Sequence, residues 1–594
     1  MNRLIQLLFG KRRTTHSATA SSKSNTDDGQ TNIARDVMAL CSEQRFPEAE
    51  ELIAAQAARG LPTGTVAMLR GNVALTQKRC DVAIIHFRHA LNQNRRDLAV
   101  FCNLAAALLQ LGMPWHSQRV LDEAEKHYSK HGSLTLLRAE TLLQSGQNDA
   151  GIAVLLDLLT QSAPPPRALS VLITEWLASN NSQRACDFLL AWLQQHDDAS
   201  SHALLGVARY NNHELTASEH HYRTALARDQ RDAQTWDNLG ATLQDLGRLD
   251  EAITCYERSM ALNPSNPVPR WHRSLAYLLD GRFDLGWPDY ELRTLNNDLQ
   301  TGAAAFPRWT GGAAPDQTVL IFGEQGLGDE IMFASCLPDA IARVKHAVVH
   351  CHPKLETIFR RSFPASTVTS GALLDALALY PDDAPLIDAA LPSGSLPYVL
   401  NRDQKHFPAA QPYLRADPQD VVTWRQRLAE LGPGLKIGLS WRGGTTGTRQ
   451  SLRSLQLDDW LPVLRQPNAR FINLQYTDVS AEITQLERRH GARITHWQDA
   501  IDDYDQTAAL VSALDLVISV QTAVIHLAGA LGQRTWVLVP ACPEWRYQRH
   551  GTRMPWYANV TLYRQTVPLD WRETIERVAT DLALLPSATP GINA

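Results

Sequence analysis

Three short segments of this 594-residue chain combine glycines with charged, amide or hydroxyl side chains at spacings that suit chemistry. The first is GEQGLGDEIMFASCLP, Gly323 to Pro338. Gly326 and Gly328 allow a tight turn, with Glu324 and Gln325 ahead of them, and Asp329 falls at the mouth of the following helix. A carboxylate there can serve as general base toward a hydroxyl, or it can cap the helix; spacing alone leaves both open. The third glycine of the six-residue dinucleotide fingerprint is missing. The second segment is LKIGLSWRGG, Leu435 to Gly444. Gly443 and Gly444 free backbone N–H groups to approach phosphate, and Arg442 and Arg453 can neutralise its charge. A surface turn with solvated arginines is the plain alternative. The third is LDLVISVQTAVIHLAGALG, Leu514 to Gly532, where an apolar strand delivers Gln521 and Thr522 to a helix start. Helix-start amides suit anions, and His526, about one turn on, can hydrogen-bond a phosphate or sugar or pack as a core residue.

These segments need strands and helices to hold them. Thr318 to Phe322 reads as an apolar strand, Gly323 to Asp329 as a turn, Glu330 to Val344 as helix and Ala347 to Cys351 as a second strand. A second start runs from Lys436 to Trp441, followed by strand Arg470 to Gln475, helix Gln506 to Leu514 and strand Asp515 to Val520. A helix from Gln521-Thr522 through Leu531 and strand Thr535 to Val539 complete it. Strand, glycine turn and helix in that order open a doubly wound parallel sheet. The pattern predicts two α/β lobes, residues 317–430 and 431–585, with facing carboxyl-end crevices that make an interdomain site. Asp503-Tyr504-Asp505 is set aside as a metal motif, because Asp505 reads as a helix N-cap. His350-Cys351-His352 is set aside because two residues on one strand face do not make a zinc site.

Ahead of the lobes lies a repeat. Ala49, Ala83, Ser117, Gly151 and Ala185 are each 34 apart; one residue is lost, and Ser218, Ala252 and Gly286 resume the step. Four positions after each comes a larger apolar or aromatic residue: Ile53, Phe87, Leu121, Leu155, Leu189, Tyr222, Tyr256 and Tyr290. That spacing puts the pair on one helix face, where the small residue admits a neighbour and the large one fills the gap. Eight copies cover residues 32–295, a flexible segment is expected over 1–31, a linker over 296–316 and a tail over 586–594.

Composition narrows the partners. Lys plus Arg is 57 against 62 Asp plus Glu, a formal net charge of −5, so the basic excess of a general nucleic-acid binder is missing. Eight cysteines without a Cys-x-x-Cys pair suit a reducing compartment. No apolar run approaches the ~20 residues of a membrane helix, and at the N-terminus the charges follow the apolar stretch, the wrong order for a secretory signal. The expectation is a cytoplasmic protein.

The best repeat copy, from Trp236 through Leu239, Gly240, Gly247, Ala252 and Tyr256 to Pro264, resembles the tetratricopeptide repeat. The three glycine segments together resemble two-lobed GT-B glycosyltransferases, specifically the heptosyltransferase-like family (glycosyltransferase family 9). The resemblance implies that Gly328-Asp329 supplies the catalytic aspartate. It maps the family's Asp-Thr-Gly-x-x-His onto Gln521, Thr522, Ala523 and His526, with Gln521 in place of the acidic residue and Ala523 in place of glycine. The whole plan is similar to bacterial proteins that fuse tetratricopeptide repeats to such a transferase half, some of which glycosylate flagellin. In keeping with that likeness are Pro307-Arg308-Trp309, Arg453-Ser454, Asn473 to Tyr476, Glu544-Trp545-Arg546 and Pro555-Trp556-Tyr557.

The expected fold is therefore an all-α repeat solenoid followed by a GT-B-like pair of Rossmann-type α/β lobes. The implied activity is metal-independent, inverting transfer of a sugar from a nucleotide-activated donor, with no cofactor. The acceptor is a hydroxyl, expected on a protein held by the repeats, flagellin among the candidates. Asp329 is the expected base, with Glu324, Gln325, Gly326 and Gly328 forming the acceptor-side loop. Donor binding falls to Trp441, Arg442, Gly443, Gly444, Arg453, Gln475, Gln521, Thr522 and His526. The alternatives are a non-catalytic scaffold with a degenerate transferase half, and a transferase acting on a glycan or lipid-linked saccharide.

Overall fold

The small residue of every repeat is buried, and so is the large residue four positions after it. In this computed structural model, residues 27–94, 96–128, 131–296, 306–373, 386–402, 407, 411–444 and 450–586 are described. Among them, sixteen helices from α1 (Asp27–Ser42) to α16 (Phe283–Tyr290) build eight hairpins over the repeat region. Helix α1 begins at Asp27, inside the segment expected to be flexible; the rest of that segment, residues 297–305 of the expected linker and residues 587–594 of the tail lie outside the described residues.

Close helix crossing is visible atom by atom. A Cβ on Gly71 would stand 2.5 Å from the Phe87 ring, and one on Gly206 would stand 2.6 Å from Tyr222. Gly240 in α13 (Ala233–Asp245) faces Tyr256 of α14 (Leu249–Leu262) the same way, at 2.6 Å. Between the helices of each hairpin one residue takes a left-handed backbone: Gln44, Lys78, Gly112, Gly146, Asn180, His213, Gly247 and Gly281, with φ from 59° to 77°. Such a residue frees the last carbonyls of the first helix to be capped by the turn.

The chain divides into two compact units between Arg228 and Asp229. The first holds helices α1 to α12 (Leu215–Arg228), with cores built around residues such as Ile53, Phe87 and Leu121. The second holds the last two hairpins and both α/β lobes.

Four parallel strands make the first sheet: β1 (Ala314–Phe322), β2 (Val344–Cys351), β3 (Ser366–Ser370) and β4 (Ala389–Pro392), in the order β3-β2-β1-β4. The second sheet contains β5 (Leu435–Ser440), β6 (Ala469–Asn473), β7 (Ile494–Thr495), β8 (Leu516–Val520), β9 (Thr535–Val539), β10 (Arg553–Met554) and β11 (Tyr557–Arg564). Its order is β10-β11-β9-β8-β5-β6-β7, parallel except for the β10–β11 edge. In each sheet the first strand is flanked by one run going left and another going right. The reversal falls between β1 and β4, and between β5 and β8. Ligands of open α/β sheets bind outside the carboxyl ends of the strands at such a reversal.

Three local expectations need correction. The helix expected over Glu330–Val344 begins at Leu327, breaks after Phe333 into a short 3-10 turn and restarts at Leu337–Ile341, leaving Val344 in β2. Pro338 lacks the N–H that a continuous helix needs, and sits where a new one can start. The expected linker is sheet-bound from residue 306 on: Trp309 is buried, its N–H donates to Ala390 O at 3.2 Å and its indole to Gly312 O at 3.1 Å. Asp503, rather than Asp505, caps helix Tyr504–Ala513, accepting from Asp505 N at 2.8 Å. The Asp505 carboxylate instead takes two bonds from Arg361, at 2.8 and 2.6 Å.

Candidate active site

At the carboxyl end of β1, Glu324 is fixed before it can meet any ligand. Its Oε1 accepts from Arg293 Nε at 2.9 Å and Nη2 at 2.6 Å, and from Gly394 N, just past β4, at 3.2 Å. Arg293 follows α16 directly, so the last repeat reaches into the reversal point of the first sheet. Gln325 exchanges hydrogen bonds with Tyr290 of α16 at 3.1–3.2 Å. Trp287 and Tyr290 pack edge-on against Trp545, with ring centroids 5.6 and 5.5 Å apart. The loop that leads into the helix of Asp329 is thus clamped from the repeat side by a buried ion pair and an aromatic cluster.

Gly328 brings the two lobes into contact. A Cβ there would stand 3.0 Å from His526 Cδ2 and 3.4 Å from Ala523 Cα, so only glycine fits without a shift. Asp329, next in line, receives Arg546 Nε at 2.6 Å. Arg546 also donates to Glu544 at 2.9 Å, and Glu544 receives Arg453 at 2.8 Å. Both Arg546 and Asp329 are mostly buried, with side chains 14% and 18% exposed, which makes their attraction strong and little screened by salt.

On the β5–β8 side, the turn after β5 lies tight against the start of helix Ala523–Ala530. A Cβ on Gly443 would stand 2.4 Å from Gln521 O. Gly444 has φ of +81°, and a Cβ there would meet Arg453 Nη2 at 2.2 Å. Thr522 shares a hydrogen bond with Ser519 at 3.1 Å. Gln521 is 3% exposed, and its amide nitrogen has no partner among the described residues. A buried donor left unpaired costs about 1–3 kcal/mol, so a group that accepts from it is favoured.

The expected donor set divides here. Gly443, Gly444, Arg453, Gln521 and Thr522 meet at the reversal point of the second sheet, and Arg453 connects through Glu544 and Arg546 to Asp329. Trp441 is fully buried in the lobe core and donates its indole N–H to Glu482 at 3.1 Å, so its side chain faces no crevice. Gln475 is 1% exposed; its oxygen accepts from Trp441 N and Arg442 N, and its amide donates to Arg442 O at 3.0 Å. It holds the turn in place. Arg442 pairs with Glu482 at 2.8 Å. His526 is buried, and its Nδ1 lies 3.1 Å from the Tyr557 hydroxyl. Burial and the nearby Arg546 push its imidazole down to about 3, so it is neutral near pH 7 and packs the lobes together without adding charge.

Arg546 and Glu544 stood in the sequence only as part of a likeness, without a role; their pairing with Asp329 and Arg453 is a product of folding. By sequence alone Glu330 is simply a helix residue. It lines a small cavity together with Ile321, Gly323, Val349 and Phe359, and its carboxylate accepts from His352 N at 2.8 Å.

Fold and site together define a helical-repeat array joined to paired parallel α/β lobes whose reversal points meet. Residues 233–266 match the tetratricopeptide repeat family, which places α13 and α14 in a tetratricopeptide hairpin. The chain is similar to Protein FlbA of Caulobacter vibrioides, 32% identical over 371 residues, covering 59% of this chain and 61% of that protein. It thus spans less than two thirds of that relative. A 72-residue stretch is 35% identical to the peroxisomal targeting signal receptor of Kluyveromyces lactis, covering 12% of this chain and 13% of that one. Among solved structures, a tetratricopeptide repeat protein from Parabacteroides merdae is 11% identical with a TM-score of 0.33, covering 42% of this chain and 99% of that one. Among the described residues, no helix is long and apolar enough to cross a membrane.

Proposed function

We propose that this protein is a glycosyltransferase that moves a sugar from a nucleotide-activated donor to a hydroxyl, on an acceptor protein recruited by the tetratricopeptide repeats. The observation that carries this reading is the meeting of the two reversal points, where Asp329 of one lobe touches Arg546 of the other. Transfer to a hydroxyl needs a base close to a group that binds the donor phosphate, and this contact between the lobes supports that reading.

In the reaction, Asp329 takes the proton of the acceptor hydroxyl as its oxygen attacks the anomeric carbon. The bond from that carbon to the phosphate oxygen breaks, and the nucleotide leaves with the electron pair. Backbone N–H groups at the start of helix Ala523–Ala530, the Gln521 amide and Arg453 stabilise the charge that develops there. Inversion at the anomeric carbon, and flagellin as acceptor, are what the family resemblance suggests.

The test is calorimetric titration of the full chain with UDP, GDP, ADP, CMP and CDP, followed by transfer from the matching nucleotide-sugar read by mass spectrometry. The expected result is selective binding near −8 kcal/mol, a Kd of about 1 μM, and transfer that Asp329→Asn abolishes without loss of fold. No binding by folded chain, or full activity of Asp329→Asn, overturns the proposal.

A further inference from the structure

Four charged side chains form a row from one reversal point to the other. Asp329 accepts from Arg546 Nε at 2.6 Å; Arg546 Nη1 donates to Glu544 Oε2 at 2.9 Å; Glu544 Oε1 accepts from Arg453 Nη1 at 2.8 Å. In these bonds each carboxylate oxygen of Glu544 serves a different arginine. Arg453 in turn lies against Gly444, where a Cβ would stand 2.2 Å from its Nη2 and 2.6 Å from its Nε. The row begins at the carboxylate read as the base and ends on the turn read as the phosphate cradle.

Its members are held from the sides. The Arg546 guanidinium stacks on the Trp545 ring at 4.9 Å, and Trp545 is wedged among Trp287, Tyr290 and Trp556. Burial disfavours the Arg546 charge, yet Asp329 and Glu544 hold its pKa above the usual arginine value. With side-chain exposures of 11% for Arg453, 30% for Glu544, 14% for Arg546 and 18% for Asp329, a change at one end is felt along the row.

We propose that Glu544 and Arg546 are positioning residues that couple the Gly443–Gly444 turn to Asp329. The benefit to catalysis rests on the transferase reading above; the coupling itself belongs to the free protein. A phosphate on Arg453 competes with Glu544 for the guanidinium. Glu544, with less of its charge met by Arg453, draws Arg546 more strongly, and Arg546 loosens its hold on Asp329. The carboxylate is then free to meet an acceptor hydroxyl only once the donor is in place. By linkage, the state of Asp329 acts back on the turn with the same coupling energy.

Hydrogen exchange on the full chain without ligand tests this. In Arg453→Met, amides of Leu327–Phe333 are expected to exchange about threefold faster or more, a size typical of such coupling. Arg453→Lys is expected to retain most of the protection. In a Glu544→Gln background the Arg453→Met change is expected to add nothing further at Leu327–Phe333. Unchanged exchange there in Arg453→Met, or an equal acceleration with and without Glu544, overturns the proposal. Should Arg453→Met fail to fold, the reciprocal reading decides: Asp329→Asn is expected to speed exchange at Trp441–Gly444, and unchanged exchange there counts against the coupling. No nucleotide enters these measurements, so their failure is distinct from failure of the transferase reading.

Discussion

Glu330 follows Asp329 in the chain, yet the two carboxyls face different surroundings. Asp329 points across the lobes to Arg546, while Glu330 turns back under β1, where a Cβ on Gly323 would stand 2.4 Å from its carboxyl carbon. Burial pushes the Glu330 carboxyl up, the His352 N–H pulls it down and Asp329 and Glu324 push it up, which together leave it at about 7. Between the ordinary glutamate value of 4.5 and about 7 the folded protein therefore binds a proton that the unfolded chain has released. Its contribution to stability is complete below pH 4.5 and is lost as pH rises to about 7, on the order of 3 kcal/mol at 1.36 kcal/mol per unit. Glu330→Gln should flatten the stability difference across that window, measured by urea unfolding of the two proteins from pH 4.5 to 8. A parallel pH dependence in both would show that Glu330 titrates normally. In the sequence the pair reads as two adjacent acids at a helix start. Only the packing of β1 and β2 against that helix separates their chemistry.

At the scale of elements, the hairpins share one turn geometry built from different residues. Four of the eight left-handed positions are glycine, and the others are Gln44, Lys78, Asn180 and His213. A side chain in that conformation costs about 1–2 kcal/mol relative to glycine, offset partly by the greater freedom glycine has when unfolded. Gly247→Ala, with φ at +77°, should therefore lower stability by about 1 kcal/mol. Lys78→Gly, with φ at +63°, should be neutral or stabilising by up to about 1 kcal/mol. Thermal melts of the two variants beside the parent check both signs; a Gly247→Ala that melts higher would contradict the turn assignment. The 34-residue spacing of small and large residues exposed these hairpins because each repeat solves one local packing problem. The helix after β1 was harder to read, since an apolar run of good helix formers hides a restart at Pro338.

For the whole molecule, the consequential boundary is the one between Arg228 and Asp229. A linker expected at 296–316 suggests that the α/β half could be cut free there, but α16 and Arg293 are built into the site. The Arg293–Glu324 pair is almost fully buried, with side chains 6% and 3% exposed. Removing one partner of such a pair typically costs 3–5 kcal/mol, because the other keeps a buried charge without that counter-ion. Trp287 adds an indole bond to Arg402 O at 2.6 Å and ring contacts to Trp545 and Trp556. A fragment of residues 229–594 should fold with a cooperative melt, whereas one of residues 305–594 should be destabilised by at least that 3–5 kcal/mol or aggregate, as read by circular dichroism and gel filtration. Equal melts for the two fragments would show that the last hairpin is dispensable.

The sequence by itself determined the repeat and its phase, the positions of most central strands along the chain, and the glycine turns that end β1 and β5. All of these are local: periodic burial, an apolar strand, a backbone that must bend. Only the tertiary structure decided which polar groups meet. Arg546 lies 217 residues beyond Asp329 and pairs with it because the packing of the two lobes sets the helix after β1 against the segment after β9. Trp441 and Gln475, which share that neighbourhood in sequence, were drawn inward by burial and by the turn's own unpaired backbone groups. Strand position and burial are set by patterns a few residues long, whereas strand order in the sheet and the partner of a charge are set by long-range packing that no local pattern encodes.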